Sequence, residues 1–242
     1  MIINCSPDLN RGQSTLIKQL LFLFLVSISL MSCLSNKRLD KWVAKHYSES
    51  QQPQKKNSRN VNNNYLTVTT TMISMGDLYS TSQKTNSYLL PLLFYWKFDF
   101  RNSCTLNPQI GIDNFTTTVL AYANKKGLKQ KLNGRTVELS VDEMPHIFDM
   151  DDKGYMVWVI LFYFGKEELS IQPQNKDIVV SYKLMQDGTE TKKGKITIPD
   201  VSKSIYLKMF QSTRKKTWQF LEQHDANITA ASRLVIDKLI EL

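Results

Sequence analysis

The sequence predicts an α+β fold, a mainly antiparallel sheet with helices packed on one face. Three observations predict it: segments of period-two apolar alternation spread along the chain, a switch to helical period after Pro108, and a helical chain end. Tyr65 to Ile73 (YLTVTTTMI) is β-rich and reads as the first strand, followed by a polar loop over Ser74 to Asn86. Leu92 to Phe100 alternates, with Phe94, Trp96, Phe98 and Phe100 on one face and Lys97 and Asp99 on the other. Pro91 is expected at the start of that strand, because it cannot donate inside a ladder. Phe115, Val119 and Tyr122 with Ala123 fit a helix face, with Asp113 or Asn114 as cap and Gly127 near the end; a strand over Thr116 to Ala123 is the rival, since Thr and Val favour β.

Arg135 to Val141 alternates again, placing Val137, Leu139 and Val141 inward. Tyr155 to Phe164 (YMVWVILFYF) is apolar on both faces and reads as a central strand covered on both sides. Asp177 to Met185 and Lys195 to Ile198 read as a hairpin with a longish loop through Asp187-Gly188. Two helices are expected at the end, Ile205 to Gln223 and Asn227 to Leu242, the second striped by Ile228, Ala231, Leu234, Val235 and Leu239.

Ahead of this domain, residues 1–32 read as a signal peptide and 33–64 as a flexible basic tether, leaving 65–242 as the single α+β domain. Leu20 to Met31 (LLFLFLVSISLM) follows Arg11 and Lys18 and is broken only by serines. A basic lead, an apolar run of this length and a small residue at the break are the parts of a secretory signal. Twelve residues span about 18 Å as a helix, short of the roughly 20 residues that a bilayer requires. A signal anchor would have to recruit Ile17 and Leu34 and tolerate Lys18. The stretch Gln51 to Asn64 (QQPQKKNSRNVNNN) is almost free of apolar residues and cannot bury enough surface to offset its chain entropy. Before it, Leu39, Trp42, Val43 and His46 fall at helical spacing. Either this is a short interfacial helix with Trp42 at headgroup level and Lys41 and Lys45 towards anionic lipid, or an ordinary solvated segment.

Leu30, Met31, Ser32 and Cys33 resemble the lipobox of bacterial lipoproteins. The resemblance implies that Cys33 is acylated, palmitate among the expected chains, and becomes the first residue of the mature protein. Composition, with linkers rich in Asn and Lys, looks like a lipoprotein of the Bacteroidetes type. The order of elements in the body is similar to auxiliary lipoproteins of bacterial transporters, a likeness carried only by that order and the anchor. Leu34 rather than Asp after the cysteine, with no acid-rich stretch following, implies the outer membrane and a periplasm-facing anchor.

The chain carries a net charge of +9. Residues 34–64 hold Lys37, Arg38, Lys41, Lys45, Lys55, Lys56 and Arg59 against Asp40 and Glu49, so much of the excess lies in the tether and argues against nucleic acid as a partner. Of three cysteines, Cys5 lies in the leader, Cys33 is the acylation site and Cys104 is left alone, which excludes an internal disulfide in the mature chain. Asp149, Asp151, Asp152 and Gly154 imitate the start of a calcium loop, but Lys153 and Ile160 occupy ligand positions, and a turn of the Asp-Asp-Lys-Gly type explains the same residues. His46, His146 and His224 show no ligand spacing, and no phosphate loop or catalytic serine motif is present. No metal or other cofactor is expected.

The aromatic row from Phe94 to Phe100 reads as core packing or, less simply, as a stacking wall. Arg214, Lys215 and Lys216, with Lys203 and Lys208, read as a patch or as a solvated helix face. Function is expected to be that of a lipid-anchored envelope module, non-catalytic, binding the membrane through its N-terminus and an envelope protein through its body. The alternative is an enzyme or small-ligand carrier whose site is assembled from distant residues; a pocket lined by Asp149, Asp151 and His146 would favour it.

Overall fold

A computed structural model describes residues 35–54, 64–159, 162–174, 176–208 and 211–241. The signal segment and the lipobox residues Leu30, Met31, Ser32 and Cys33 lie outside the described residues, as does the linker over 55–63. The elements run α1 (Asn36–Gln54), β1 (Leu66–Thr70), β2 (Ser80–Leu92), β3 (Tyr95–Leu106), α2 (Pro108–Lys125), α3 (Leu128–Lys131), β4 (Thr136–Glu143), β5 (Ile147–Val159), β6 (Phe162–Pro173), β7 (Ile178–Gln186), β8 (Thr189–Ile198), β9 (Ile205–Leu207) and α4 (Thr213–Ile240). The fold is α+β, with helices packed on antiparallel-dominated sheets.

Two sheets share the strands. The first has the order β1-β4-β7-β8, with β1 parallel to β4 and the other pairs antiparallel. The alternation predicted for β4 is present: Val137, Leu139 and Val141 are buried against Phe115, Val119 and Ala123 of α2 and Ile228, Val235 and Ile236 of α4. Helical period therefore prevails over the β propensity of Thr116 to Val119, because the apolar stripe has a sheet to cover. The cap is Asn107 rather than Asp113 or Asn114; its side chain accepts from the Gln109 amide, and Pro108 occupies the first helical turn. Gly127, at φ 66°, turns the chain after α2 in the left-handed region. The β7–β8 connection is tighter than the longish loop expected, a two-residue turn with Asp187 at φ 50° and Gly188 at φ 78°.

The second sheet has the order β2-β3-β5-β6-β9, entirely antiparallel. Here the structure departs most from the sequence reading. The expected polar loop over Ser74 to Asn86 already belongs to β2 from Ser80 onward, and Pro91 lies near the far end of β2, opposite Trp96. β2 is an edge strand, where a missing donor is tolerated. Tyr155 to Phe164 is not one central strand but parts of β5 and β6, paired as a hairpin.

The flexible tether expected over 33–64 is corrected for its first part. The folded unit runs from Asn36, and α1 packs on β2 and α4 with Leu39 and Val43 at 0% exposure. The stripe that looked interfacial thus faces protein, together with His46 and Tyr47. Asp40 Oδ1 accepts from the hydroxyls of Ser80 (2.9 Å) and Ser82 (2.6 Å), and the Trp218 indole donates to the Trp42 carbonyl at 3.0 Å. Two terminal helices were expected; one continuous α4 is found, because His224 fits inside it, buried, with Nε2 3.0 Å from the Pro145 carbonyl. Ile205 to Leu207, expected to be helical, pairs instead with β6. The ring of Phe148 of β5 packs 4.9 Å from that of Phe220 of α4, tilted by 44°, which ties the second sheet to the same helix that covers the first.

Candidate functional site

The acidic candidates lie in strand β5, not in a turn. Successive residues face opposite sides, so Asp149 and Asp151 point away from the helices while Asp152 points with Phe148 and Met150 towards them. Asp151 is buried and gripped by Arg101, Nε at 2.6 Å and Nη2 at 2.9 Å, with Lys153 at 3.3 Å. Burial alone would raise its pKa, but the two cations outweigh burial and hold it below the ordinary carboxylate value. Asp149 accepts from Ser103 at 2.5 Å and from Gln174. No group of three metal-ligating side chains is assembled among the described residues.

A pocket lined by Asp149, Asp151 and His146, the arrangement that would favour an enzyme or carrier, is not found among the described residues. His146 lines a cavity of about 10 Å³ with Tyr47, Asn107 and His224, room for a single water. A shallow depression of about 310 Å³ lies elsewhere, between Tyr65, Lys129 and Arg135. Asp149 and Asp151 line neither. Cys104 is fully buried, and burial pushes its thiol up to about 12, which removes the thiolate that a nucleophile needs. Among the histidines, burial lowers His46, whereas for His224 burial is outweighed by Asp225 and the Pro145 carbonyl, which raise it. Arg214 lies 5.3 Å over the Trp218 ring and Lys215 is exposed, which fits a solvated helix face, whereas Lys203 and Lys208 are exposed outside any helix.

What stands out is the far end of the second sheet. The ladder rows there are Leu89 with Phe98, Gly154 and Glu167; Leu90 with Lys97, Tyr155 and Lys166; Pro91 with Trp96, Met156 and Gly165; and Leu92 with Tyr95, Val157 and Phe164. Beyond them the Trp158 amide donates to the Phe94 carbonyl at 2.8 Å, which couples the β2–β3 turn to β5. Four strands thus form a blade whose apolar side chains are out in solvent: Leu93 is 86% exposed, Phe162 68%, Phe164 61% and Phe94 58%. Rows alternate sides, so Leu90, Tyr155, Leu92 and Phe164 lie on one face and Leu89 and Trp158 on the other, all exposed. From Ser87 to Trp96 and from Gly154 to Gly165 the chain has no Asp, Glu, Lys, Arg or His.

No protein-family model, curated protein or solved structure matches this chain. The blade must therefore be interpreted from its own chemistry.

Scattered apolar residues are normal on a protein surface, but a contiguous patch marks an interaction site. The blade is held by close backbone packing. Gly154 has no room for a side chain: a Cβ would come within 2.5 Å of the Lys166 carbonyl and 2.6 Å of the Phe98 ring. Phe98 lies over that glycine and stacks on Phe100 at 5.6 Å, and Lys84 sits 4.3 Å from the Phe100 ring. Of the expected aromatic row, Trp96, Phe98 and Phe100 are half-buried in this ladder, while Phe94 leaves it for the turn. Sequence reasoning missed the site because an apolar run on both faces also describes a covered central strand. The usable signal was the neighbouring run Leu89 to Phe94, equally apolar, which makes two uncharged tips instead of one core strand. The expected membrane-interface residues Trp42, Lys41 and Lys45 lie on α1; Lys41 and Lys45 are exposed, while Trp42 is half-buried.

Proposed function

We propose that the protein is a lipid-anchored module of the cell envelope, bound at the outer membrane and facing the periplasm, that binds rather than catalyses. The blade is its contact element. The observation that carries this reading is the exposure of Leu93, Phe94, Phe162 and Phe164 in an uncharged four-stranded tip. The anchor rests on the match of Leu30, Met31, Ser32 and Cys33 to the lipobox pattern. The carboxylates of Asp149 and Asp151 are hydrogen-bonded and the buried Cys104 thiol is protonated, so among the described residues these three groups lend no support to the alternative of an assembled catalytic pocket.

Fatty-acid labelling in cells tests the anchor: label in the wild type and none in Cys33→Ser is expected, and label in that variant overturns it. A photo-crosslinking residue at Phe94 or Phe162 tests the contact, with Lys192 on β8 as an exposed control. Adducts at both tip positions and none at the control are expected. Equal yields at all three overturn the binding role of the blade.

A further inference from the structure

We infer that the partner of the blade is a lipid leaflet, into which the two hairpin tips dip as far as a row of lysines. This rests on the proposed role of the blade as contact element and names what it contacts. The first argument is two-sidedness. A docked protein covers one face of a sheet, yet here Leu90, Leu92 and Phe164 on one face and Leu89 on the other are all about half exposed or more. A surrounding apolar medium covers both faces and the tip together.

The second argument is length. From the row of Tyr155 to Val159, four residue steps at about 3.3 Å give about 13 Å, under half of a hydrocarbon core of about 30 Å and well short of the 9–11 residues of a spanning strand. The blade fits one leaflet and does not cross.

The third is where charge begins. Descending one face from the tip, the first charged row holds Lys97 and Lys166, flanking Tyr155 and opposite Leu90. Lys97 and Lys166 stand where lipid phosphates would lie, with Tyr155 beside them and the ring of Tyr95, two rows nearer the tip on the same face, stacked 6.3 Å from that of Tyr155. On the other face the first charge is Glu167, one row further from the tip. Acids on the lysine face begin only below that row, with Asp99 and Glu168.

The fourth is the direction of α1. Asp40 reaches Ser82 of β2, whereas Tyr47 stacks on Tyr79 at the foot of that strand, so α1 runs antiparallel to β2 and its N-terminal end points towards the blade end. The helix begins, at Asn36, on that side. The lysine row lies seven ladder steps beyond Ser82, about 23 Å of strand. From Asp40 the described helix runs one further turn back to Asn36, about 6 Å towards that row.

Flotation of the full chain carrying Cys33→Ser, with vesicles of phosphatidylethanolamine and phosphatidylglycerol, tests the inference. Its N-terminal apolar run is common to every variant compared. Phe94→Glu combined with Phe162→Glu is expected to lower the floated fraction at least tenfold, because each charge would enter hydrocarbon. Both positions are exposed, and an unchanged thermal transition checks the fold. Lys97→Gln and Lys166→Gln are expected to cost about fivefold each on these vesicles and little on phosphatidylcholine. Unchanged flotation of the Glu variant overturns the inference. So does a self-associated wild type, seen by sedimentation without lipid and dispersed by Phe162→Glu, that does not float: a second copy then occupies the blade. That outcome, or a protein adduct at Phe94, leaves the binding role standing, whereas equal crosslinking at tip and control removes both.

Discussion

Asp152 gives the most quantitative prediction. It lies at the base of the blade in one row with Phe100 and Leu169, on the side that faces the helices. Its Oδ1 is buried without a hydrogen-bond partner. Burial, with a smaller contribution from Glu167, raises its pKa from the ordinary 3.8 to about 6. Such a rise disfavours the ionised form by up to about 3 kcal/mol. The folded chain holds this proton more tightly than the unfolded chain, so the stabilisation is fully present below pH 3.8 and is lost as pH rises through about 6. Between pH 5 and pH 7.5 the wild type should lose about 1 kcal/mol through this group. Asp152→Asn removes the titration and keeps the shape. Urea unfolding at the two pH values, compared between the proteins, isolates it from His46 and His224, which titrate in both. The variant is expected to be more stable at pH 7.5, by about 1–3 kcal/mol, and to match the wild type more closely at pH 5. A variant less stable at pH 7.5, or parallel pH dependence in the two proteins, refutes the assignment of Asp152 to a desolvated, unpartnered site.

Three further outcomes follow from packing. Leu39→Ala should cost about 2–5 kcal/mol in urea unfolding, because Leu39 is fully buried on the face of α1 that packs on the body; a flexible tether would give no change. Gly154→Ala should destabilise by about 1–3 kcal/mol through its clash with the Lys166 carbonyl and the Phe98 ring, and should shift the Phe98 proton resonances; an unshifted spectrum contradicts the close approach. Cys104 should resist alkylation by iodoacetamide at neutral pH until the chain unfolds, and modification of the native protein at the rate of a free thiol contradicts its burial.

The first sheet was largely legible in the sequence. Val137, Leu139 and Val141 alternate as they pack, and Asp187-Gly188 marks a turn that only these residue types adopt readily. The second sheet was not. No Gly, Pro, Asn or Asp lies between Trp158 and Tyr163, so nothing local separates β5 from β6, and the apolar run read as one covered strand. For α1 the stripe Leu39, Val43 and His46 was visible, but a stripe alone does not say whether lipid or protein covers it. The pairing of Asp40 with Ser80 and Ser82 is a long-range fact that no spacing encodes. The acidic cluster misled for a related reason: in a strand, adjacent acids point to opposite sides, and Arg101, fifty residues away in sequence, neutralises Asp151.

The most direct test of the central claim uses two of the four tryptophans. Trp96 and Trp158 lie in the blade, whereas Trp42 and Trp218 lie where α1 meets α4. With vesicles of lipids brominated in the upper acyl chain, the wild type should be strongly quenched, and Trp158→Phe combined with Trp96→Phe should lose most of that quenching while still floating. Quenching that survives the double replacement, or none in the wild type bound to vesicles, would place the membrane contact away from the blade.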